Sequence, residues 1–255
     1  MRVIRSAVAG LALTLAATSA YAQPTATDLK FIGIGSPSAV IGNVWGGVYT
    51  AKVGGTITNN GGYIGGNIID IVCVDLLHDV NYGQQYEAWK QTLAATMDRS
   101  LLRWGGYSNW YSRYKRAAWL SDQFAGQTSG LQNVKAIHTA IWRTFTNAKV
   151  DNVPVGPGLN TAYGDQTVWN AAAAWMTASV AAESQIDANN SGYWSRFIVL
   201  SDQDMVGAGS GASWNVLSGG AQEFMSTVPE PASMALMATG LMGVGFVGRR
   251  RKKQT

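Results

Sequence analysis

Cysteine, histidine and charged side chains are all scarce in this chain of 255 residues. Cys73 is the only cysteine, so no disulfide can form within the chain. The only histidines are His78 and His138, which are too few for the repeated ligand spacing that is typical of structural zinc sites. The sequence therefore predicts no disulfide framework, no metal and no cofactor.

Charged residues make up 13% of the chain. Because many of the basic residues lie at the two ends, the net charge of the whole chain differs from that of its central part. The formal net charge is +4, but two arginines near the N-terminus and five cations near the C-terminus supply 7 of the 19 basic residues. One of the 15 acidic residues, Glu230, also lies near the C-terminus. The residues between these ends thus hold 12 basic and 14 acidic side chains. This balance excludes nucleic acid as the partner class.

The N-terminal residues have the pattern of a secretory signal peptide. Two arginines stand among the first five residues, and an uncharged apolar run follows over residues 7–17. Ala20-Tyr21-Ala22 then provides the small-x-small pattern that signal peptidase reads. We therefore expect a signal peptide over residues 1–22, with signal peptidase cleaving between Ala22 and Gln23.

The C-terminal residues 227–255 combine a short motif, an apolar run and a basic cluster. The motif is Val228-Pro229-Glu230-Pro231, and the basic cluster is Arg249-Arg250-Arg251-Lys252-Lys253. Residues 232–248 are uncharged, and as a helix they would span about 25 Å, which predicts a transmembrane helix. Adjacent cations resist transfer across a bilayer, so we expect the basic cluster to stay cytoplasmic and the preceding chain to lie outside.

This order of motif, apolar run and basic end resembles the PEP-CTERM sorting signal of Gram-negative bacteria. The two prolines hold the chain extended and free of helix just before the membrane, where an intramembrane enzyme could grip it. The resemblance implies cleavage by a membrane exosortase near the Pro-Glu-Pro sequence. It also implies an inner-membrane precursor with a periplasmic ectodomain, which is then delivered to the cell surface or the extracellular matrix.

Residues 23–226 are long enough for one domain with a sizeable core. Short runs of β-type residues separated by Gly-rich turns predict antiparallel strands at 29–32, 44–52, 55–58 and 67–74. The apolar residues of the last run do not alternate, which predicts a strand covered on both faces. Helical spacing follows at 86–102, 110–124, 131–145 and 167–186, before a last strand at 196–200. This order predicts an α+β fold, an antiparallel β-sandwich or barrel with an inserted helical subdomain.

Two segments of this domain resemble bacterial surface thioester domains. They are Ile71-Val72-Cys73-Val74-Asp75-Leu76 and Ile137-His138-Thr139-Ala140-Ile141-Trp142. In that family a strand cysteine bonds to a glutamine of a helical segment, and the internal thioester captures amines on a target surface. Here His138 stands at the glutamine position. Because imidazole has no acyl carbon to give, Cys73 and His138 cannot form a thioester.

The resemblance brings Cys73 and His138 together, and two interpretations of that contact stay open. A Cys–His pair can lower the pKa of the thiol and create a nucleophile, which would make a covalent or catalytic surface module. The alternative is a buried thiol beside a core histidine, which we favour because no orienting third group or oxyanion donor can be placed. Together with Asp75 and His78 the two residues also have the types of metal ligands, but no spacing motif supports a metal site.

The sequence thus favours a structural or adhesive surface protein without catalytic activity. A further class is an exopolysaccharide-binding matrix protein, for which Trp104 and Trp110 offer aromatic faces that could stack on sugar rings. Core packing is the favoured interpretation of both tryptophans, because aromatic side chains dominate protein cores. The expected partners are signal peptidase, the exosortase, the membrane before processing, and a polysaccharide or another cell-surface ligand.

Overall fold

The computed structural model describes residues 23–41, 44–76, 80–145, 166–205 and 220–228. The predicted signal peptide, the predicted transmembrane helix and the basic cluster lie outside these residues, and so do His78 and the Pro-Glu-Pro part of the motif. Among the helices of the described ranges, none has the length and apolar character needed to cross a membrane.

In the part of the chain that the structure describes, six antiparallel strands close into a barrel. They are β1 (Thr25–Ile41), β2 (Val44–Ile57), β3 (Tyr63–Cys73), β4 (Gln85–Thr92), β5 (Phe197–Asp202) and β6 (Phe224–Thr227). Their order around the barrel is β1-β2-β3-β6-β5-β4, and β1 pairs with both β2 and β4. The short strand β6 fills the gap between β3 and β5. Of the two predicted architectures, the structure therefore selects the barrel.

Alternating residues of the strands fill the barrel interior. In β2, Tyr49, Ala51 and Val53 point inward, and Phe31 of β1 and Phe224 of β6 meet them there. The rings of Phe31 and Phe224 stack with their centroids 6.2 Å apart. Because side chains alternate across a strand, the residues between these positions face outward and are free to form a second core.

Within the described residues between β4 and β5, three α-helices cover part of the outer face of the barrel. They are α1 (Trp110–Asp122), α2 (Gln132–Phe145) and α3 (Gln166–Asn189). The apolar stripe of α2, which includes Val134 and Ile141, is fully buried and packs in one cluster with outward-facing strand residues such as Val72 and Met225. Lys115 of α1 also pairs with Glu183 of α3 at 2.9 Å. The helical insertion is therefore part of the same folded unit as the barrel.

One predicted helix is wrong. Residues 86–102 form strand β4, a turn and a short 3₁₀ helix (Arg99–Leu101) instead of one long helix. Tyr86 and Ala88 are both buried and both face the barrel interior, so the first part of this segment follows the two-residue period of a strand. Pairing with β1 on one side and β5 on the other fixes the strand, and neither partner is visible in the local sequence.

The predicted two-sided cover of the strand at 67–74 holds only for its last residues. Ile71 and Cys73 face the barrel interior, while Val72 faces the helices, so this part is buried on both sides. Earlier in β3, by contrast, Ile68 is 65% exposed. The helices cover only the end of β3, and that end carries the candidate cysteine.

Candidate functional site

Cys73 is the last residue of β3 and is fully buried in the barrel interior. It pairs with Phe224 of β6, and its thiol donates a hydrogen bond to the backbone carbonyl of Asp75 at 3.0 Å. Burial raises the pKa of the Cys73 thiol well above its ordinary value, and the negative charge of Asp75 adds to this effect. A hydrogen bond with the Trp142 side chain and the positive charge of Arg103 oppose the rise without reversing it.

His138 lies on α2 with no exposed surface, where the helix packs against the barrel. Its Nδ1 accepts a hydrogen bond from the backbone N–H of Gly47 at 2.5 Å, so the proton of the neutral ring is on Nε2. The ring of Trp142 lies edge-on at 4.3 Å between centroids. Burial lowers the pKa of His138 from 6.5 to about 3.

The glycine beside this histidine is required by the close approach of α2. A Cβ on Gly46 would lie 3.2 Å from Cγ of His138 and only 2.4 Å from Cδ1 of Ile41. Gly47 has a φ of +107°, a backbone conformation that other residues rarely adopt. The two glycines therefore let the backbone of β2 approach the imidazole ring closely enough to bond with it.

Cys73 and His138 are neighbours, but their reactive atoms do not pair. The thiol donates to Asp75, and the imidazole accepts from Gly47. His138 approaches Cys73 through the cysteine backbone, and Nε2 makes no hydrogen bond of normal geometry within the described part of the chain. A thiolate–imidazolium pair needs a lowered thiol pKa and a raised imidazole pKa, and both shifts here have the opposite sign.

A buried ionic network lies beside Cys73, and the sequence did not reveal it. Nε of Arg103 lies 2.5 Å from Oδ2 of Asp75, with both side chains almost fully enclosed. The carboxylate of Glu223 accepts hydrogen bonds from the backbone N–H of Arg103 at 2.9 Å and from the hydroxyl of Tyr114 at 2.5 Å. A third bond reaches it from the hydroxyl of Ser201 at 2.6 Å. This Asp75–Arg103–Glu223 network joins the barrel to α1.

The network holds Glu223 in an unusual environment for a carboxyl group. The side chain has no exposed surface, and burial raises its pKa above the ordinary value. Hydrogen bonds from Ser201 and Tyr114 and the charge of Arg103 act in the opposite direction. The only sequence signal is a carboxyl placed directly before the apolar strand β6, and its partner Arg103 is 120 residues away.

The described residues offer no group of three potential ligands that could hold a metal ion. Of the four residues considered as ligands from the sequence, Cys73, Asp75 and His138 are described and His78 is not. Asp75 is paired with Arg103, and both other side chains have the hydrogen bonds given above.

The tryptophans predicted as possible sugar-stacking faces lie mainly in the core. Trp104 is 2% exposed and stacks on Phe145 at 5.6 Å and on Tyr107 at 6.2 Å between centroids. Trp110 is half-buried and packs on Tyr111 and on the ring of Tyr114. Trp104 therefore has no face to offer a ligand.

A cleft of about 760 Å³ opens on the barrel near the site. We call it the aromatic cleft, because five of its lining residues are aromatic: Phe31, Trp45, Tyr49, Tyr82 and Trp142. Trp45 is 46% exposed and Tyr82 is 81% exposed. The other described lining residues are aliphatic, glycine, or the neutral polar residues Thr50, Asn81 and Gln222, and none of them carries a charge.

The end of the folded domain leads directly into the C-terminal motif. After β6, the backbone N–H of Val228 donates to the carbonyl of Arg196 at 2.6 Å. Residues 227–252 match the family described as the PEP-CTERM protein-sorting motif. The chain carries a PEP-CTERM sorting tail. Comparisons with curated proteins and with solved structures give no significant match.

The match confirms the PEP-CTERM sorting motif that the sequence predicts at the C-terminus, and it indicates an extracellular protein that is sorted by an exosortase. It begins one residue before Val228 and includes Arg249, Arg250, Arg251 and Lys252, while Lys253 lies just beyond it. The match covers the tail alone, so the resemblance of the barrel to thioester domains stays an expectation from the sequence.

Proposed function

We propose that this protein is a non-catalytic structural or adhesive protein that an exosortase delivers to the cell surface or the extracellular matrix. The PEP-CTERM tail is the observation that carries the delivery part of the proposal. In this proposal signal peptidase cuts between Ala22 and Gln23, and the precursor stays in the inner membrane through residues 232–248. The basic cluster at 249–253 remains in the cytoplasm until the exosortase acts near Pro229-Glu230-Pro231.

The burial of Cys73 supports a structural role for the candidate pair. The thiol has no exposed surface, its pKa is raised, and its hydrogen bond goes to a backbone carbonyl rather than to His138. A nucleophile needs a thiolate and access to its target, and a buried thiol with a raised pKa has neither. We therefore assign Cys73 and His138 to the packing between barrel and helices.

Cell fractionation tests the delivery. In a host with an active exosortase we expect the protein at the cell surface or in the medium, and in the matching exosortase-deficient strain a larger form in the inner membrane. Replacing Pro229, Glu230 and Pro231 together by alanine should cause the same retention. A control variant with Gln254→Ala and Thr255→Ala changes the tail beyond the basic cluster and should be processed normally. Equal distribution in both strains would contradict the proposal.

A second experiment tests the absence of covalent chemistry. The intact mass of the exported protein should equal that of its processed sequence, without the loss of one ammonia that an internal thioester would cause. Cells displaying Cys73→Ala should adhere to surfaces as well as cells displaying the original protein. If that variant keeps its thermal unfolding transition but loses adhesion, Cys73 acts as a nucleophile and the non-catalytic assignment is wrong.

A further inference from the structure

We propose that the aromatic cleft is a binding site for neutral polysaccharide, with Trp45 and Tyr82 as its stacking faces. The inference rests on the proposed adhesive role and names the ligand class that would serve it. Across the described part of the chain, Trp45 and Tyr82 are the only exposed aromatic residues. Both line the same cleft.

The exposure of these two rings is costly unless something covers them. Exposed aromatic surface loses the favourable free energy of burial, and large rings dominate the energetics of cores and interfaces. Ile34, which is 44% exposed, lines the same cleft, and Val40 pairs with Trp45 across the β1–β2 ladder and is also 44% exposed. Of the eight large apolar residues that are exposed within the described ranges, four thus lie on or beside one concave surface, and both exposed aromatic residues are among them. A concave surface with apolar lining is the usual character of a ligand site.

The turn that carries Tyr82 is fixed in place by the barrel. The backbone N–H of Gly83 donates to the carbonyl of Phe31 at 3.0 Å, and the N–H of Phe31 donates to the carbonyl of Gln84 at 2.9 Å. A Cβ on Gly33 would lie 3.4 Å from Cδ2 of Tyr82, so the ring rests beside the backbone of β1. A ring held in this way loses little conformational entropy when a ligand stacks on it.

The opposite wall is also held by bonds within the barrel. The hydroxyl of Tyr49 donates to the carbonyl of Trp45, which ties the strand backbone at Trp45 to the buried lining of the cleft. Nε2 of Gln222 donates to the carbonyl of Asp75 at 3.2 Å, which orients this amide side chain. The cleft is therefore largely formed before any ligand arrives.

The lining chemistry selects the ligand class. None of the described residues that line the cleft is charged, so they would offer no ionic partner to an acidic polymer or a nucleic acid, whose charges would lose hydration there. Thr50, Asn81 and Gln222 add neutral hydrogen-bonding groups between the aromatic residues. A sugar ring has an apolar face of C–H groups and an edge of hydroxyl groups, which matches aromatic faces alternating with amide and hydroxyl groups. A purely apolar ligand would form no hydrogen bonds with these polar groups.

The test uses the processed protein in affinity electrophoresis with soluble polymers. Hydroxyethyl cellulose, dextran and galactomannan serve as neutral probes, and alginate serves as the acidic comparison. We expect at least one neutral polymer to retard the protein and alginate to have no effect. Binding of alginate at the same strength, or binding of no neutral polymer, would overturn the proposal.

Two variants at one exposed position separate ring stacking from simple hydrophobicity. Tyr82→Phe keeps the ring and should bind within about twofold of the original protein, whereas Tyr82→Leu keeps apolar surface and should bind roughly tenfold more weakly. Trp45→Ala should show a loss of the same order, and Ile64→Ala, an exposed apolar position outside the cleft, should show none. Equal binding by Tyr82→Leu would refute stacking, even if Trp45→Ala failed to fold.

Two further readouts identify other occupants of the cleft. A dimer in sedimentation velocity that Tyr82→Leu dissociates would replace the polysaccharide with a second copy of this chain. If Tyr82→Leu loses polysaccharide binding but cells that display it still adhere normally, the role of the cleft in adhesion is refuted. That result would leave the proposed function untouched. Equal distribution of the protein in the two strains of the fractionation experiment would instead refute the proposed function.

Discussion

The buried imidazole of His138 makes a quantitative prediction about the pH dependence of stability. Its pKa is lowered to about 3 in the native protein from an ordinary value of 6.5. Between these two pH values the unfolded chain binds a proton at this residue and the native protein does not. Stability should therefore fall as the pH falls through this window. The full shift corresponds to about 5 kcal/mol, or about 3 kcal/mol between pH 7 and pH 4.

The substitution His138→Asn isolates this contribution. Asparagine can place an oxygen where Nδ1 accepts the bond from Gly47, and it does not titrate. The variant leaves a small cavity, so it should be less stable than the original protein at pH 7. At pH 4 its stability relative to the original protein should improve by about 3 kcal/mol. Only the original protein loses stability at this pH, because its unfolded state binds a proton at His138 that its native state does not bind. Groups such as Glu223 titrate in both proteins and cancel in the difference.

Urea unfolding followed by tryptophan fluorescence at pH 7 and pH 4 measures the effect. Ile137→Val serves as the matched control, since it removes buried volume from the neighbouring position of α2 without changing any titratable group. Its loss of stability should be the same at both pH values. If His138→Asn shows the same pH dependence as the original protein, the imidazole is not held neutral by burial and the reasoning fails.

Three other predictions follow from the buried residues. The Cys73 thiol should not react with a maleimide reagent in the native protein and should react fully in urea, as quenched labelling and mass spectrometry would reveal. Arg103→Met should lower the free energy of unfolding by about 3–5 kcal/mol, because it leaves the Asp75 carboxylate buried without its partner; equal stability in urea titrations would contradict this. Trp104→Ala should cost about 3–5 kcal/mol in the same assay and leave polysaccharide binding unchanged.

Local periodicity predicted helices α1, α2 and α3, but it also predicted a helix where the structure forms strand β4. Val134, Ile137, Ile141 and Phe145 recur at three or four residues, and the structure buries all four along α2. The spacing in 86–102 suggested a helix in the same way, yet partners far along the chain draw its first part into the barrel as β4. The spacing of apolar residues predicts a helix that buries one face. Where a segment can pair with strands on both sides in a closed barrel, that pairing overrides the local preference for a helix.

The site was predictable as a meeting of segments but not as a set of contacts. The sequence placed Cys73 on a strand and His138 on a helix that approaches it, and the structure brings these two elements together. The partners of their polar atoms are the backbone groups of Asp75 and Gly47, which carry no signal in side-chain identity. The aromatic cleft also escaped prediction, because sequence alone does not distinguish an exposed tryptophan from a buried one.

The position of β6 bears on how the protein would carry a mechanical load. β6 has only four residues, and the sorting motif begins immediately after it, so tension on the tail would act first on this strand. Glu223 lies at the other end of β6, where Arg103, Tyr114 and Ser201 hold it inside the protein. The hydrogen bonds of this buried carboxylate would thus resist the pulling of β6 out of the barrel. We therefore expect the protein to unfold under force in one step, when the hydrogen bonds of Glu223 break and the barrel opens.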